Sequence, residues 1–74
     1  MRCYGYEKDT NADSPSELEE ITIQAGPETL RAVAGFLLHV AEQMELHGEK
    51  FGHEHFEDHC HRQAGECRFI VASE

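Results

Sequence analysis

The sequence has no tryptophan, two prolines and three cysteines in 74 residues. Positive charge is scarce as well. Six Lys and Arg stand against fifteen Asp and Glu, a formal charge of -9. Each shortage excludes something. Proteins that neutralise phosphates need clustered Lys and Arg, so no nucleic acid is expected as a partner. An anionic membrane surface is disfavoured on the same ground. No run approaches the ~20 apolar residues that span a bilayer. The start, MRCYGYEKD, lacks the apolar stretch of a secretory signal. Cys3, Cys60 and Cys67 are odd in number and form no C-x-x-C pair. Reduced thiols in a cytoplasm are the expectation. Gly-rich phosphate loops, G-x-S-x-G and H-E-x-x-H are all missing. A chain this short leaves little room for a concave pocket, so no enzyme is expected.

What is present is enough for one small fold. Hydrophobic residues make up 39% of the chain, which fits a folded domain better than a disordered one. A single domain over 1–74 is expected, with a flexible loop at 9–17, where DTNADSPSE is rich in turn formers. A domain of this size buries only about 60% of the surface its unfolded chain exposes. Its stability is therefore expected to be marginal.

The segments have distinct periods. Arg2 to Lys8 suggests a short strand. In LEEITIQAG, Ile21 and Ile23 point one way and Thr22 and Gln24 the other, which predicts a strand with one buried face. Pro27 then suits the first position of a helix, and Glu28 suits its positive end. The helix is predicted over Pro27–His47, with Gly48 as its stop. Leu30, Val33, Ala34, Leu37, Val40, Ala41 and Met44 fall on one stripe, with Phe36 and Leu38 at its edges. Arg31, Gly35, His39 and Glu42 lie opposite, so His39 reads as a solvated surface residue. Beyond the helix, EKFGHEHFEDH alternates and ECRFIVAS is β-rich, with RQAGE as a turn between them. They predict an antiparallel hairpin. The fold class is α+β: a ββαββ domain with one long helix on one face of a mainly antiparallel sheet.

Four of the six histidines lie in FGHEHFEDHCHRQ. On a strand, His53, His55, His59 and His61 share one face with Glu57. Glu54, Phe56, Asp58 and Cys60 take the other, and Phe56 with Cys60 makes that face the one to meet the helix. Residues two apart on a strand are about 7 Å from each other, so two imidazoles can lean onto one ion. One reading is a small zinc site using His53, His55, His59 and Cys60. Another is a polar face offered to a protein partner, or imidazoles held by neighbouring carboxylates. Cys60 is no candidate nucleophile beside His59 and His61, because adjacent strand residues point to opposite faces. A homodimer through an exposed face bearing Tyr4, Tyr6 and Ile70 is a further reading.

The stretch EITIQAGPETLRAVAGFLLHVAEQMELHGEKFGHEHFED resembles the immunity protein 32 family of bacterial polymorphic toxin systems. The resemblance runs from about residue 18 to 58, and FIVAS matches a closing strand. It implies a cytoplasmic, toxin-neutralising binder encoded beside its toxin, with no catalysis and no cofactor. The cognate toxin is then the expected partner. His53, Glu54, His55 and Asp58 are the first candidates for contact with it. The charge of -9 suits a basic toxin.

Overall fold

The computed structural model describes residues 1–60, without the side chain of Cys60, and residues 67–74. His61 and the turn expected over 62–66 lie outside the described residues. The elements are β1 (Cys3–Gly5), β2 (Ser16–Leu18), α1 (Pro27–His47), β3 (His53–His55), α2 (Phe56–Cys60) and β4 (Ile70–Ala72), with a 3₁₀ turn over Gly48–Lys50 after α1. The fold is α+β, and its strands and long helix follow the expected ββαββ order. Two features differ. The strands form two separate two-stranded antiparallel sheets, β1–β2 and β3–β4, and a short second helix, α2, follows β3.

Local chemistry sets the ends of α1. Pro27 occupies the first turn with Glu28, and the Leu30 N–H donates to the Gly26 carbonyl at 3.0 Å. At the other end Gly48 has φ 54 and donates its N–H to the Met44 carbonyl. That positive φ is open to glycine and strained for residues with a Cβ. A Cβ placed there meets nothing within 4 Å, so the cost of a side chain is purely conformational. Gly48→Ala should lower stability by about 1–2 kcal/mol. A urea titration reads this as a lower midpoint with an unchanged slope.

The strand expected around Ile21 and Ile23 does not form. The second strand lies earlier, at Ser16–Leu18, paired with Cys3–Gly5. Leu18 packs over Gly5, where an added Cβ would stand 3.1 Å from its Cδ1. Residues 19–26 pair with no strand among the described residues. Ile21 and Ile23 stay exposed.

The core is built from α1 and the segments that follow it. Phe36, Val40 and Phe56 are buried, and Ala32, Val33, Met44, Phe51, Phe69 and Val71 pack around them. Phe36 and Phe56 meet edge to face with ring centroids 5.3 Å apart, and Phe69 completes the group at 6.1 Å from Phe36 and 6.3 Å from Phe56. Such aromatic pairs add about 0.5–1.5 kcal/mol beyond area burial. The face of α1 that is covered is thus centred on Phe36 and Val40. Only part of the expected stripe is inside: Val33, Val40 and Met44 are packed, whereas Leu30, Ala34, Leu37 and Ala41 are exposed.

Candidate functional site

The histidine segment splits into two environments. β3 keeps its alternation for three residues, which sets His53 and His55 side by side with ring centroids 5.1 Å apart. The chain then turns into α2. Glu57 and Asp58 stand in its first turn, where carboxylates favour the helix dipole. The turn also brings Phe56 under α1, and its N–H donates to the Phe69 carbonyl at 2.7 Å. The continuous strand expected to His61 is therefore broken at His55. His53, His55 and His59 do not share one strand face, and His61 lies outside the described residues.

His55 keeps Glu57 as a neighbour, with Nδ1 3.5 Å from Oε1. Glu57's own backbone N–H, followed by His55 and Arg68, holds its carboxyl below the ordinary range. The carboxylate thus stays ionised to lower pH and remains an acceptor for the imidazole.

His59 goes elsewhere. Its ring lies 5.6 Å from Phe36 and 5.1 Å from His39. His39 in turn places Nε2 3.2 Å from Oε2 of Glu54. His39 is therefore not a solitary surface residue. It ties β3 to α1 through Glu54 and stacks against α2 through His59. Glu54 shares the helix-facing side of β3 with the direction taken by Phe56, and that was the signal for this contact: a carboxylate facing the helix needs a donor on it.

Of the four contact candidates, His53 and Asp58 are exposed, while Glu54 and His55 are half-buried and engaged by His39 and Glu57. For the zinc reading, His53 and His55 are adjacent but His59 faces α1, and the Cys60 side chain lies outside the described residues. Among the described residues, no group of three or more His, Cys, Asp and Glu side chains is arranged to hold a metal ion. Among those residues, too, no helix is long and apolar enough to cross a membrane.

The sequence profile of a family described as Immunity protein 32 matches residues 20–74. The chain belongs to the immunity protein 32 family. No curated protein and no solved structure matches it. The family region holds α1, β3, α2 and β4, hence the whole aromatic core and every histidine contact described above. It also runs beyond the resemblance drawn from the sequence, through HCHRQAGEC to Glu74. The β1–β2 hairpin lies before it.

Proposed function

We propose that this protein binds and neutralises a cognate toxin, and that it does so in the cytoplasm without catalysis or a cofactor. Family membership over residues 20–74 carries this reading. The charge of -9 supports a basic partner, because complementary charge steers association and discriminates against wrong partners. Of the four contact candidates, His53 and Asp58 are the exposed ones and offer a donor or acceptor and an anion to that partner. Glu54 and His55 hold this edge in place through His39 and Glu57. Neutralisation follows from occupancy: the bound protein covers the toxin's active site or blocks a conformation it needs.

The test pairs the protein with the product of the adjoining toxin-like gene. Co-expression should restore growth that the toxin alone arrests, and the two purified proteins should co-elute as one complex. Growth arrest that persists beside ample folded protein, with no complex on the column, would sink the reading.

A further inference from the structure

We infer that the exposed flank of α1, formed by Leu30, Ala34, Leu37, Leu38 and Ala41, is the main docking surface for the toxin, and that the toxin meets it with an apolar patch edged by Lys and Arg. This rests on the toxin-binding reading and adds to it the surface and its complement.

At 3.6 residues per turn, the residues of α1 divide into adjoining arcs. Ala32, Val33, Phe36, Val40 and Met44 make the arc that faces the core. Next to it runs the second apolar arc, and nothing among the described residues covers it. Leu30 is 45% exposed, Leu37 44% and Leu38 70%. Scattered exposed leucines are ordinary, but several on one continuous helix flank form a contact patch. A flank of this kind matches the helix-in-groove mode, in which the anchors are read at i, i+3, i+4 and i+7. Ala34, Leu37, Leu38 and Ala41 have that spacing, with Leu30 one turn before them.

Charge selects the occupant. Glu42 and Glu45 lie one and two turns beyond Leu38 on its side of the helix, and both are exposed. Arg31 is the one Lys or Arg of α1, against Glu28, Glu42 and Glu45. A second copy of the chain would bring another -9 against the first. Lipid headgroups and nucleic acid are anionic and are repelled in the same way. A protein surface with an apolar centre and a basic rim fits both the leucines and the glutamates. Most interface energy comes from a few well-packed apolar anchors, with the charged rim acting chiefly on approach.

The probe is the purified product of the adjoining toxin-like gene, titrated with wild type, Leu37→Ala/Leu38→Ala and Leu38→Ala. Alanine favours the helix, so Leu38→Ala should melt within about 2–4 °C of wild type and the double variant within about 4–8 °C. The double variant should bind about a hundredfold more weakly, and Leu38→Ala alone about tenfold. Glu42→Gln/Glu45→Gln should slow association and flatten its salt dependence. If wild type binds and both leucine variants bind equally well, the flank is not the docking surface, although the toxin reading stands. If wild type does not bind, the toxin reading fails and this inference with it. A concentration-dependent dimer of wild type that the leucine changes abolish would assign the flank to a second copy. A large loss of melting temperature from Leu38→Ala alone would assign it to the chain's own packing. Each of those two results overturns the proposal.

Discussion

Phe36→Ala should leave this protein without a cooperative folded state. Phe36 is fully buried and is in ring contact with Phe56, Phe69 and His59 together. It is where α1, α2 and the segment leading into β4 converge. Truncating a buried phenylalanine to alanine costs about 3–5 kcal/mol, from lost transfer energy and from the cavity left behind. Domains are stable by only about 5–15 kcal/mol, and one this small belongs at the low end. The loss is then comparable with the whole. An isolated helix of ordinary composition is marginal in water, so α1 should fray once its cover is gone. Circular dichroism on heating should show a broad, weak transition in the variant and a sigmoidal one in wild type. Leu38→Ala is the control, since an exposed position should change stability by no more than about 0.5 kcal/mol. A Phe36→Ala protein that melts cooperatively near wild type would show that the aromatic group is not what holds these elements together.

The comparison of sequence and structure turns on how local each signal is. The helix Pro27–His47 was legible residue for residue, because Pro27 and Gly48 act within a turn of their own positions. The face it buries was not legible. Apolar residues occupy more than half of its circumference, so the pattern permits several covered arcs. The aromatic trio of Phe36, Phe56 and Phe69 decides among them, and Phe56 and Phe69 come from distant parts of the chain. Strand pairing is equally non-local. The alternation of Ile21 and Ile23 states that a pleated surface would suit them, but it names no partner strand. The antiparallel pairing of β3 and β4 was visible because EKFGHEHFEDH alternates, ECRFIVAS is β-rich and antiparallel pairing is the simplest way to join them.

The candidate site shows the same division. The pairing of His53 with His55 follows from a period of two, and three residues of strand are enough to produce it. Extending that period to His59 and His61 assumed that the strand continued. At Glu57 and Asp58 a helical turn competes with the strand, and burial of Phe56 favours the turn. His39 was missed because the residues that recruit it, Glu54 and His59, are fifteen and twenty positions later. No pattern confined to α1 contains them.

His53→Ala/His55→Ala should separate a contact edge from a metal site. Neither residue belongs to the core group, and His53 is exposed. The one ion pair lost, His55 with Glu57, is partly solvent-exposed, and such pairs contribute about 0–1 kcal/mol. The double variant should therefore lose no more than about 4–8 °C in melting temperature. EDTA should shift neither protein, and elemental analysis should find no stoichiometric zinc. Binding to the toxin should weaken about tenfold, or about 1.4 kcal/mol. That is less than for the leucine flank, as polar edge contacts rank below buried apolar anchors. A structural zinc site predicts the opposite on every reading. Its binding energy is folding energy, so EDTA and the double change would each lower the melting temperature steeply and would not add. Stoichiometric zinc together with that non-additivity would remove His53 and His55 from the contact surface and make them part of what folds the chain.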